Sequence, residues 1–137
     1  MINIRTYTYK ILCVYFAITA STATAQPSEH IWKFVGKIGA ASAAIEICSE
    51  YIYNNYSVEY YIEINRLDIE LYDIVEELGE KFDQDLSAGF YLTIGLFQND
   101  RDFKKSIIEQ YPTCGKKFVS DIVAFIKSAK STVQELR

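Results

Sequence analysis

The chain is poor in the residues that metal and nucleophilic chemistry draw on. It has one histidine, one methionine and three cysteines in 137 residues. A Ser-His-Asp or Cys-His arrangement would have to use His30, the sole imidazole, and a structural zinc site needs about four Cys, His or carboxylate ligands. The cysteines stand at positions 13, 48 and 114, with neither zinc spacing nor a C-x-x-C redox motif. Neither glycine-rich phosphate motif occurs, so nucleotide binding has no basis in sequence. The expectation is a protein that is not an enzyme, with no catalytic residues, no cofactor and no metal.

Positive charge is also scarce. Lys and Arg number 14 against 18 Asp and Glu, a net charge of −4, which argues against nucleic acid as the partner. Only two prolines occur, Pro27 and Pro112, so little interrupts the long middle of the chain. Long apolar runs are missing after the first 25 residues, and no membrane span is expected beyond them.

Those first 25 residues read as a cleaved secretory signal peptide. Arg5 and Lys10 lie in a basic start, Ile11 to Ile18 form a short apolar run, and Ala23-Thr24-Ala25 supplies the small-x-small cleavage pattern. The apolar run is about half of the roughly 20 residues a spanning helix needs. Cleavage before Gln26 would leave a single domain over residues 26–137 and take the net charge from −4 to −6, because the signal carries two bases and no acid. The domain would be exported, to the periplasm or the extracellular space. It keeps Cys48 and Cys114, which in an oxidising compartment form one disulfide closing a 66-residue loop. Such a bond contributes about 4 kcal/mol on a chain-entropy argument.

Apolar periodicity then predicts helices throughout. Ile31, Val35, Ile38, Ser42, Ile45, Cys48 and Ile52 share one helical face, with Ser28 as its cap and small residues from Gly36 to Ala44 allowing a close neighbour. Between Tyr51 and Asn65 two readings compete. Val58, Tyr60, Ile62 and Ile64 alternate as a strand would, and Asn54-Asn55 could turn a hairpin; a short helix capped by Ser57 is favoured, because a hairpin would have no sheet to join. Asp68 is a candidate cap for the next helix, Gly79 a candidate break, Asn99 and Thr113 candidate caps further on. The tract Gly89–Phe97 is apolar all round and predicts the buried central element. Phe118, Ile122, Phe125, Ala129, Val133 and Leu136 mark the last helix. The fold expected is all-α: a single small bundle of four to six helices stapled by one disulfide.

Carboxylates recur at one-turn spacing, Glu46 with Glu50, Glu59 with Glu63, Glu76 and Glu77 with Glu80. Two carboxyls in a cleft could hydrolyse a glycosidic bond, though on amphipathic helices such groups are ordinarily solvated. The run Asp83-Gln84-Asp85-Leu86-Ser87 opens like a calcium loop, but Ala88 and Ile94 stand where an EF-hand needs Gly and Glu, which leaves a turn or an acidic surface.

Two features point to recognition. Residues 59–85 hold ten acids against Arg66 and Lys81, while residues 101–137 hold eight bases against four acids. Tyrosines crowd at Tyr51, Tyr53, Tyr56, Tyr60 and Tyr61, and tyrosine offers rigid contact area with a polar tip. Those five with Glu70, Asp73, Glu76, Glu77 and Glu80 form the candidate partner surface. The expectation is a protein partner, for an accessory, inhibitor or immunity-like module of the bacterial envelope. A periplasmic acid-stress chaperone, charged apart as its carboxylates neutralise, is the alternative; a small hydrolase built on a carboxylate dyad is a further one.

Overall fold

A computed structural model describes residues 29–136, and among them the chain forms five helices and no strand. The signal segment, the Ser28 cap and Arg137 lie outside the described residues. In chain order the helices are α1 (Glu29–Asn55), α2 (Val58–Phe82), α3 (Ser87–Gln98), α4 (Arg101–Gln110) and α5 (Lys116–Glu135). The expected all-α bundle with one disulfide is the architecture found.

The central element is α1, and here the expectation from Gly89–Phe97 is corrected. Every residue from Val35 to Ile45 except Lys37 is buried. Gly, Ala and Ser on nearly all sides keep the helix thin, so α2 and α3 both pack closely against it. A Cβ on Gly39 would lie 2.7 Å from Thr93 Cγ2 of α3, closer than atoms tolerate, so only glycine permits this approach. α3 is apolar all round but not enclosed: Phe90, Thr93, Ile94 and Phe97 face the core, while Tyr91 and Leu92 are exposed. The face predicted for α1, Ile31 through Ile52 by way of Ser42 and Cys48, is buried at every position.

The uncertain stretch resolves as helix on both sides of a tight break. α1 continues through Tyr51, Tyr53 and Asn55, and α2 begins at Val58. Neither a hairpin nor a separate short helix forms there, because Ser57 stops one long helix and starts another. Its Oγ accepts from the Tyr60 backbone N–H at 3.3 Å, as an N-cap should. Asp68 is therefore no cap; it sits in the middle of α2. Gly79 does not break the helix either. α2 runs on to Phe82, turns through Asp83 in the left-handed conformation (φ 50°), and closes with Gln84 N–H donating to the Gly79 carbonyl at 2.9 Å. A Cβ on Gly79 would meet Gln84 O at 2.6 Å, so this glycine admits the returning backbone.

Two further caps shift by a residue or two. Asp100, not Asn99, caps α4 by accepting from the Phe103 N–H at 3.0 Å, while the Asn99 amide donates back to the Gly95 carbonyl. α5 starts at Gly115 without a side-chain cap, and Thr113 instead offers its carbonyl to Tyr56. α5 lays Phe118, Ile122, Ile126, Ala129 and Val133 into the core and packs against α2. The Cys48 and Cys114 sulfurs are at bonding distance, 2.11 Å, tying the C-terminal half of α1 to the turn before α5.

Candidate partner-binding surface

The tyrosine cluster lies at the α1–α2 junction, beside the disulfide. Tyr56 donates its hydroxyl to the Thr113 carbonyl and Tyr60 donates to the Cys114 carbonyl, each at 2.8 Å. Their rings pack 4.6 Å apart, and Tyr51 meets Tyr56 at 6.4 Å. Burial, then the neighbouring Tyr56 and Glu63, push the Tyr60 hydroxyl up to about 12, so it stays a hydrogen-bond donor. Tyr53 packs edge-on against Tyr61 at 5.5 Å, yet Tyr53 is 70% exposed. Tyr56 and Tyr60 thus act as clamps that hold the α4–α5 turn, and Tyr51 and Tyr53 are displayed on the support they provide.

Next to this end is an open hollow of about 490 Å³ between α1 and α4, lined by Ile47, Tyr51, Ile108, Tyr111 and Cys114, with Glu50 and Lys104 among its polar residues. A second hollow, of about 380 Å³ and acidic, lies where α2 turns into α3 and is lined by Glu76, Glu80, Asp83 and Asp85 among others. The calcium-like run is this turn: Asp85 accepts from the Ser87 N–H and hydroxyl, which holds its carboxyl below the usual range. No group of three or more potential metal ligands converges among the described residues. His30 is exposed in the first turn of α1.

The acidic members of the predicted surface are not gathered with the tyrosines. Sixteen residues separate Tyr60 from Glu76, about 24 Å along α2. Glu70 is taken up by the fold, bonded to Lys130 of α5 at 2.9 Å. Asp73, Glu76, Glu77 and Glu80 stay outside any ion pair among the described residues, and the Glu76 carboxylate one turn from Tyr72 is the first cause pushing that phenol up to about 12. Among the described residues the acidic and basic segments are joined by one ion pair, Glu70 with Lys130.

Two arrangements were not foreseen from the sequence. Glu46 and Asp68, on different helices, lie near enough for the Asp68 charge to act on Glu46. Asp68 accepts a hydrogen bond from the Ser42 hydroxyl, and Glu46 one from the Gln98 amide. Burial holds both carboxyls above their ordinary range, with the Asp68 charge adding to the effect on Glu46. Neither residue lines either hollow. One-turn spacing along a single helix carries no signal for a pairing made across helices. The second arrangement is a stripe on the outer face of α2. Val58, Ile62 and Ile69 are 69%, 61% and 61% exposed and lie on the side opposite the core residues Ile64, Leu71 and Leu78. Their four- and seven-residue spacing was legible, as an apolar set out of phase with the core set.

No family model matches the chain, and no curated protein or solved structure matches it.

Proposed function

We propose that the protein is an exported, non-enzymatic protein-binding module of the bacterial envelope, of the inhibitor, immunity or accessory kind. The observation that carries this reading is the tyrosine end. Tyr53 and Tyr51 are presented to solvent from a helix end that the Tyr56 and Tyr60 hydroxyls, Ser57 and the Cys48–Cys114 pair hold in place. Aromatic side chains on a rigid support bind proteins well because little freedom is lost on association. Export is supported by the basic start, apolar run and Ala23-Thr24-Ala25 pattern of the first 25 residues.

Site-specific photo-crosslinking tests the reading. A crosslinker replaces Tyr53, or Lys127 as an exposed control on α5, and the protein is incubated with envelope extract of the cells that make it. The expected result is one protein captured from position 53 and not from position 127. Identical products from both positions, or none from position 53, would overturn it. Export is read separately, from whether the mature chain begins at Gln26.

The acid-stress alternative has less behind it. The raised carboxyls of Asp68 and Glu46 favour the folded state in acid, against the lowered carboxyl of Asp85, which favours it at higher pH; an acid-opened chaperone needs the balance to run the other way.

A further inference from the structure

We propose that the outer face of α2 is a docking face for a basic amphipathic helix supplied by a partner protein. The proposal rests on the protein-binding reading above and names the partner's chemistry. Val58, Ile62 and Ile69 form an apolar line along the solvent side of α2. The line spans about 16 Å from Val58 to Ile69, roughly three turns. Continuing in the same direction, the Tyr72 ring contacts Tyr91 of α3 at 5.8 Å, and Tyr91 with its neighbour Leu92 is exposed. Tyr53 and Tyr61 border the other end. Val58, Ile62 and Ile69 thus share one helical phase, with Tyr72 and Tyr91 beyond one end of the line and Tyr53 and Tyr61 near the other, and together these exposed or half-buried residues make the track.

Charge selects the occupant. α2 carries eight acids against Arg66 and Lys81. Helical phase sets Glu59, Asp73 and Glu77 along one margin of the track, three acids to the one base, Arg66, that shares it, and none of the three acids is in an ion pair among the described residues. A second copy of this chain laid face to face would oppose two surfaces of the same negative sign, which repel. An anionic membrane surface is repelled for the same reason. A helix with an apolar stripe flanked by Lys or Arg satisfies both features: its stripe covers Ile62 and Ile69, and its cations reach Glu59, Asp73 and Glu77.

The test uses the protein as the cells that make it produce it, and a designed 21-residue helical peptide with a Leu stripe and Lys flanks. A second peptide replaces every Lys with Glu. Affinity is read by fluorescence anisotropy over a range of salt concentrations. The basic peptide is expected to bind and the acidic one not. The I62S/I69S variant should weaken binding by at least about tenfold, an effect of the size expected for losing a central apolar contact pair. The E59Q/D73N/E77Q variant should flatten the salt dependence. V123S, which alters an exposed apolar residue of α5, should change neither. Equal binding of both peptides, or an affinity that V123S lowers as much as I62S/I69S does, would overturn the proposal. So would self-association, or binding to zwitterionic phosphatidylcholine vesicles, that is lost in I62S/I69S. Failure here is separable from failure of the broader reading: a partner captured at position 53 that contacts α2 through a segment neither basic nor helical would sink this inference and leave the binding module intact.

Discussion

The Tyr60 hydroxyl donates to the Cys114 carbonyl at 2.8 Å, across 54 residues of sequence. Cys114 is one of two non-glycine residues in the left-handed conformation among the described residues (φ 47°), a backbone state that ordinarily costs about 1 kcal/mol or more. The bond and the disulfide hold the same residue from two sides. Removing the hydroxyl in Tyr60→Phe should lower stability by about 1 kcal/mol, the usual net worth of such a bond, with the midpoint of urea unfolding as the measurement. The raised phenol adds a pH signature. Its contribution is complete below the ordinary tyrosine value of 10 and is lost as pH rises towards about 12. The wild-type chain should therefore lose stability over that interval more steeply than Tyr60→Phe.

The closest approach of α1 and α3 depends on one missing methyl. In Gly39→Ala the new Cβ would press on Thr93 Cγ2 at 2.7 Å. Thr93 cannot swing aside freely, because it is buried and its hydroxyl donates to the Gly89 carbonyl at 2.7 Å. Overpacking of this kind costs about 1–3 kcal/mol. Thr93→Ser removes Cγ2 and keeps the hydroxyl, so the double variant should recover part of the loss. Strict additivity of the two changes in chemical denaturation would show that Gly39 and Thr93 do not constrain each other.

The Cys48–Cys114 pair closes a long loop and joins α1 to the α4–α5 turn. The double variant Cys48→Ala/Cys114→Ala should lose about 4 kcal/mol, and reductant should lower the melting temperature of the wild type alone. Alkylation without reductant followed by mass measurement should modify neither cysteine. Labelling at both positions would show that the bond is not formed in the isolated protein.

Asp68 and Glu46 give the folded domain a pH dependence of definite sign. Burial is the first cause at both sites, so the native carboxyls hold their protons to higher pH than the unfolded chain does. The stability this contributes is complete below the ordinary carboxylate range and is lost as pH rises through the native values. Asp68→Asn keeps an acceptor for the Ser42 hydroxyl and carries no charge. It should raise stability at neutral pH and flatten the profile between mildly acidic and neutral conditions. An unchanged profile would mean that Asp68 ionises as freely in the folded state as in the unfolded one.

Helical phase is a local property, and it was readable from residue types three and four apart. The buried face of α1 from Ile31 to Ile52, the Ser57 cap and the apolar stripe of α5 all follow from side-chain size and polarity within a turn or two. The disulfide pairing was readable for a different reason: the expected signal peptide removed Cys13, and two cysteines remained. What depended on how the helices cross could not be read in this way. Asp68 looked like a cap because an acid before an apolar run often is one; only the approach of α1 set Ser42 against it. Gly79 looked like a break until the chain was seen folding back over it. The tyrosines looked equivalent in sequence, yet packing made Tyr56 and Tyr60 into clamps and left Tyr53 facing solvent. Which apolar residues are enclosed follows the same division. Gly89–Phe97 was the more apolar tract, but the thin, small-residue α1 could be surrounded and the bulkier α3 could not, so Tyr91 and Leu92 were left at the surface. The sequence by itself determined the helices and their faces, because those depend on neighbours along the chain; the tertiary structure alone decided the pairings, the close approaches and the exposed track on α2, because those depend on which helices come to lie side by side.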